Sequence, residues 1–328
     1  MRLKAEEFLW VRPLRLSVPF CFLLFLATGC FNARVPTGPP PDAVLTNAMT
    51  SGRLAFERGL NPEAVALYRQ ALDRAREMDD AVAIADASYN LAAALVRGGE
   101  IARAATALLE SEAEARRAGG NVADVLLLRA KVARLNGAPA EAVELANRVL
   151  TDTASRPSGG HRAQAHVLKG ELAVEEKNWS LAEQQAGLAR DALGRIGSTA
   201  SPAVLAGVVG LRAQVARGRG SLKEAAQLFD RRADFLRQSR LYRDMADAVA
   251  DSAEIWMSLG TPAEAGPRFY RAARAAAAQG DEIHARSLLS KASEAAHTAR
   301  DDVLLALISV LRAEWDGGAT EPAAASPP

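Results

Sequence analysis

One spacing limits what this chain can become. Ala64, Ala104, Ala142, Ala182, Ala225 and Ala265 each sit inside a similar stretch, separated by 40, 38, 40, 43 and 40 residues. Gly59–Leu72 reads GLNPEAVALYRQAL, Gly137–Leu150 reads GAPAEAVELANRVL and Gly260–Ala273 reads GTPAEAGPRFYRAA. Around each anchor alanine the offsets recur. Twelve residues before it stands a small residue (Gly52, Ala92, Ala130, Gly170, Ala213, Ala253), and five before it a turn residue (Gly59, Gly99, Gly137, Lys177, Gly220, Gly260). Four after it comes a packing residue (Tyr68, Leu108, Ala146, Ala186, Phe229, Phe269), and seven after it Ala71, Ser111, Val149, Ala189, Arg232 and Ala272. A repeat of this length is one supersecondary unit that buries its apolar face only against its neighbours. The chain is therefore expected to stack rather than to wrap around a single core.

The offsets are helical. The anchor and the residues four and seven later share one face of a helix with 3.6 residues per turn. An alanine there lets two helices approach to about 8 Å, the short end of the packing range. Glycine five residues earlier takes the left-handed conformation that ends a helix. Asn61-Pro62 and Thr261-Pro262 place a capping side chain ahead of a proline, and Ser221 with Glu224 and Thr261 with Glu264 match capping boxes. This small–turn–Ala–bulky–small spacing, from residue 45 to about 298, resembles the tetratricopeptide repeat, a helix-turn-helix unit of about 34 residues. The resemblance implies an all-α fold: a right-handed α-solenoid of about six hairpins, with the period lengthened to near 40. The repeat domain is expected over residues 43–315, with Gly280–Ala296 and Arg300–Trp315 as C-terminal capping helices and 316–328 as a disordered tail. Loops are expected at Ser155–Gly160 and Gly197–Pro202, where Ser, Gly and Pro cluster.

The first residues read as an address. Arg12 and Arg15 precede an apolar run from Leu16 to Ala27, too short to span a bilayer comfortably, which ends in Thr28, Gly29 and Cys30. The segment LATGC resembles the lipobox of bacterial lipoproteins, with Ala27 in the place where that family usually has Leu. In that family the cysteine is acylated and the peptide before it removed. The resemblance thus implies a signal peptide over 1–29 and lipid attachment at Cys30, and the Pro-rich stretch 30–42 reads as a semi-stiff linker. Several acyl chains, at about 0.8 kcal/mol per buried CH₂, would hold the chain to a membrane almost permanently. Phe31 stands where Asp would retain such a lipoprotein in the inner membrane, so the expected location is the outer membrane, facing the periplasm.

Charge and chemistry exclude several classes. Lys+Arg number 40 and Asp+Glu 39, so there is no basic field to hold nucleic acid by counterion release. Both cysteines, Cys21 and Cys30, precede the repeats, which leaves the repeats without a disulfide or a Cys-based zinc site. No HExxH, phosphate loop or GxSxG elbow is present, and no cofactor is expected. His161 and His166 are five apart, off the four-residue spacing of a helical metal pair, and a hydrolase built on them is the weakest reading. Asp79-Asp80 and Asp301-Asp302 fall at expected helix starts, where acids complement the helix dipole.

In the repeat family the first helix of each hairpin lines the concave side. Carried onto this chain, that gives a groove with Arg53, Phe56, Tyr89, Asn90, Arg97, Lys131, Arg134 and Arg217 as candidate partner-binding residues, joined later by Glu171 and Glu254. Its early half is basic and aromatic, and its later half adds acids. Such a stripe suits an extended acidic or amphipathic peptide. The expected function is a non-catalytic, lipid-anchored adaptor that holds or assembles envelope proteins. The alternative is a peptidoglycan, glycan or small-ligand module on the same groove.

Overall fold

The structure, a computed structural model, describes residues 42–152, 157–194 and 200–317. The expected signal peptide, Cys30, the expected linker before Asp42 and the expected tail from residue 318 lie outside these, as do parts of both expected loops. The described residues form fourteen α-helices and no strand. They pair as α1 (Ala43–Glu57) with α2 (Asn61–Glu77), α3 (Ala81–Arg97) with α4 (Ile101–Arg117), and α5 (Ala123–Leu135) with α6 (Pro139–Thr151). Then follow α7 (Gly159–Glu175) with α8 (Trp179–Gly194), α9 (Pro202–Gly218) with α10 (Leu222–Gln238), and α11 (Tyr242–Ser258) with α12 (Pro262–Ala278). Two further helices, α13 (Glu282–Ala299) and α14 (Asp302–Gly317), close the stack. None of the described helices is long and apolar enough to cross a membrane.

All six anchor alanines are 0% exposed, and so is Ala285, which takes the same part in α13. The aromatic or aliphatic residue four later is buried in every copy. In the first hairpin its bulk is met by the smallness twelve residues before the anchor. A methyl added to Gly52 would lie 2.9 Å from the Tyr68 ring. Buried side chains form successive clusters along the stack rather than one core, from α1–α5 at one end to α9–α14 at the other. Each cluster is shared between neighbours, as a nearest-neighbour solenoid requires.

One turn does nearly all the connecting. After α1, Gly59 sits at φ 77°, and the Leu60 N–H donates to the Ala55 carbonyl at 2.9 Å. This is the Schellman closure, which satisfies a carbonyl that the helix end would leave bare. It recurs at every residue five before an anchor. The spacing did not anticipate that it also joins one hairpin to the next, at Asp79, Gly119, Arg240 and Gly280, and joins α13 to α14 at Arg300. Most helices have 17 residues and most turns three, so the period near 40 is two nearly alike halves. The third hairpin is shorter, with 13 residues in each helix, and the gap of 38 between Ala104 and Ala142 arises because α5 is four residues shorter than usual while the turn before it is two longer.

The same turn overrides the expected caps. Leu60, not Asn61, is the N-cap of α2, and neither Ser221 nor Thr261 makes a side-chain cap bond. Their ψ angles, 59° and 67°, are far from the extended values of Ser158 (164°) and Ser201 (142°), whose side chains do cap. The tight turn turns the hydroxyl back instead, and Thr261 Oγ1 donates to the Trp256 carbonyl at 2.8 Å. The capping box that does form pairs Ser158 with His161.

Candidate functional site

The odd-numbered helices make the inner wall. Contacts skip one helix at α3–α5, α5–α7 and α7–α9, whereas among even-numbered helices such a contact occurs at α12–α14. The closer approach of odd helices places them on the concave side. Asp244 and Arg243 of α11 act electrostatically on Arg97 of α3. Burial lowers the Arg97 pKa, Asp244 raises it and Arg243 lowers it.

Register organises the lining. Arg53, Lys131, Glu171 and Glu254 all stand eleven residues before their anchors, and Phe56, Arg134 and Arg217 all stand eight before theirs. The structure separates these residues into two kinds. Several are ties between successive inner helices. The Arg97 guanidinium lies 3.6 Å over the Phe56 ring, and its Nη1 donates to the Phe56 carbonyl at 2.6 Å. Arg134 pairs with Glu171 and, at 2.7 Å, with Glu175. Arg217 reaches Asp251 at 3.3 Å, and Lys291 reaches Glu254 at 2.6 Å. Asn90 turns inward on its own helix, its Nδ2 donating to the Asp86 carbonyl at 2.7 Å.

The second kind retains bonding capacity. Arg53 and Lys131 are exposed and have no ion-pair or hydrogen-bond partner among the described residues. Tyr89 is half-buried, with no hydrogen-bond partner for its hydroxyl among the described residues. Its pKa is pushed up to about 12, first by burial and then by the Asp124 carboxylate. The early half of the wall therefore offers two open cations around an aromatic ring.

The later half holds a group that the groove projection passed over. Burial raises the pKa of Asp247 and of Asp251 on α11. His284, 3.6 Å away, and Arg243 and Arg232 oppose this at Asp247, while Arg217 and Arg232 oppose it at Asp251. Arg232 comes from α10 and runs past Gly210, where an added methyl would sit 2.9 Å from its Cδ. Its Nε is buried without a hydrogen-bond partner among the described residues. The sequence carried a signal for this: seven after the anchor, five copies have Ala, Ser or Val and one has Arg. Asp86, Asp124 and Asp247 likewise share one register, eighteen before their anchors.

The histidines are occupied in packing. His161 closes the capping box and reaches Asp124 at 3.2 Å, and His166 Nδ1 lies 2.9 Å from Gln185 Oε1. Among the described residues, no three His, Cys, Asp or Glu side chains are grouped so as to hold a metal ion. Asp80 accepts from the N–H groups of Val82 and Ala83, and Asp301 from that of Leu304, so these acids cap helices. Trp179 packs its ring on Gly218, and Trp256 takes Arg268 at 5.5 Å from its ring centre.

No family model and no curated protein matches the chain. Solved structures do match. NprR in complex with its cognate peptide NprX is 15% identical, with 87% of this chain and 76% of that one covered and a TM-score of 0.50. A tetratricopeptide repeat protein from Parabacteroides merdae is 14% identical, covering 82% and 98%, with a TM-score of 0.42. The apo form of RapI is 14% identical, covering 78% and 98%, with a TM-score of 0.49. At these identities the likeness is one of fold: a solenoid of the tetratricopeptide-repeat kind.

Proposed function

We propose that this chain is a non-catalytic interaction protein that holds an extended segment of another protein along its concave wall. The observation that carries this is the pair of open cations, Arg53 and Lys131, on one register of that wall with the unpartnered Tyr89 hydroxyl between them. Buried or half-buried polar groups favour a partner that completes their hydrogen bonds. The later wall mixes signs, with Asp247 and Asp251 set among Arg217, Arg232, Arg243 and His284. An acidic stretch of the segment fits the early half. The fold of NprR, solved with a peptide bound, supports the reading.

The LATGC segment extends the proposal to location. Acylation at Cys30 would tether the solenoid to the bacterial envelope, with Phe31 favouring the outer membrane, and its partners would then be envelope proteins. The test is a pull-down of the native chain beside a variant carrying Arg53→Glu and Lys131→Glu, with purified sacculi as a parallel arm. A protein recovered by the native chain and lost from the variant is expected. Sedimentation with sacculi in place of a protein partner would overturn the reading in favour of a glycan module.

A further inference from the structure

The last helix is amphipathic twice over. Leu304, Ile308 and Leu311 of α14 are buried against the stack. On another face Val303, Leu307 and Val310 are 74%, 46% and 58% exposed. Their spacing of four and three makes a continuous stripe. The positions opposite the buried face, Asp302, Ala306, Ser309 and Ala313, are exposed and polar or small, so the stripe runs along one flank of the helix. Residues 318–328, GATEPAAASPP, contain no large apolar side chain that could cover the stripe.

The charges at the ends of the stripe point to what covers it. Glu314 continues the stripe one turn beyond Val310, and Arg300 sits in the turn just before Val303. Both are exposed, and neither has an ion-pair partner among the described residues. We propose that this apolar flank of α14 binds the same flank of a second copy of this chain, antiparallel, about a two-fold axis at Leu307. In that arrangement Leu307 meets its own copy, Val303 meets Val310, and each Arg300 meets the other chain's Glu314. A parallel pairing would set Arg300 against Arg300 and Glu314 against Glu314. Antiparallel helices also oppose their dipoles favourably. The interface is isologous, so it closes at a dimer instead of growing into a filament. A 16-residue helix is about 24 Å long. One face of it covers less than the ~800 Å² per partner of a standard interface. The dimer is therefore reversible and depends on concentration.

The test is disulfide trapping of the full chain in cells, with Leu307→Cys, Val303→Cys and Ser309→Cys compared against the unsubstituted chain. A band at twice the chain mass is expected from Leu307→Cys, well above Val303→Cys, Ser309→Cys and the unsubstituted background. Ser309 lies away from the stripe, and Val303 is about 12 Å from its own copy along an antiparallel pair. In the trapping background, Arg300→Glu or Glu314→Arg alone is expected to lower the trapped fraction about threefold to tenfold, and the double exchange to restore it. Equal trapping from Val303→Cys and Leu307→Cys would overturn the antiparallel arrangement. No dimer above background, or an adduct of a different mass from the Leu307→Cys variant, would overturn self-association.

Discussion

At the scale of the residue, small side chains set how closely helices meet, and the structure distinguishes those that are needed from those that are incidental. A methyl on Gly170 would sit 2.3 Å from Leu211 Cδ2, in a place where Leu211 is 1% exposed. Nothing lies within 4 Å of a methyl on Gly187 of α8. Gly170→Ala is expected to lower stability by about 1–3 kcal/mol through overpacking. Gly187→Ala should raise it by about 0.5–1 kcal/mol through helix propensity. Denaturant melts of the two variants check the opposite signs. His166 offers a pH signature. Burial holds its pKa below the ordinary 6.5, outweighing the hydrogen bond that its Nδ1 donates to Gln185 Oε1. The unfolded chain then takes up the proton first. The stabilisation is complete above the unfolded value and falls as pH drops from there through the folded value. Melting curves between pH 8 and pH 5 (about one and a half units either side of an ordinary His) should show the loss, and His166→Gln should flatten it.

Among the elements, what was legible in the sequence was what is local. Helix periodicity and the left-handed turn need only a few consecutive residues, so Ala64, Ala104 and their counterparts announced the hairpins. The caps were misread because the same turn fixes ψ at Ser221 and Thr261 and carries the hydroxyl away from the helix amides. The groove was only half legible. Arg97, Arg134 and Arg217 look like binding cations in one dimension, yet each is tied to a residue about one repeat away, at Phe56, Glu171 and Asp251. Only the period, applied to charge as well as to alanine, would have shown this. Glu112 is the strongest such tie. It is buried and accepts from Arg116 of its own helix, from Arg129 of α5 and from Arg148 of α6. Burial would raise its pKa, but the three guanidinium hydrogen bonds outweigh that and hold it below the ordinary carboxylate range. Glu112→Gln is expected to cost about 1–3 kcal/mol, because the mostly buried Arg129 loses its charged partner while Arg116 and Arg148 are left exposed to water. The loss should appear as faster amide exchange in α4–α6 while α11–α13 keep their protection.

For the whole molecule, the proposed role rests on a stack with shared clusters and an inner wall that carries charges of both signs. Two consequences separate holding from mere folding. If Cys30 is the acylated residue, Cys30→Ala should move the chain from the membrane fraction to the soluble one while the helical circular dichroism of the repeats stays unchanged. The more direct test places a photo-crosslinking residue at Lys131, on the inner wall, or at Glu144, exposed on the even-numbered α6. Adducts in living cells are expected from position 131 with one defined protein, and none from position 144. Equal capture at both positions, or none at 131, would contradict a concave wall that binds a partner.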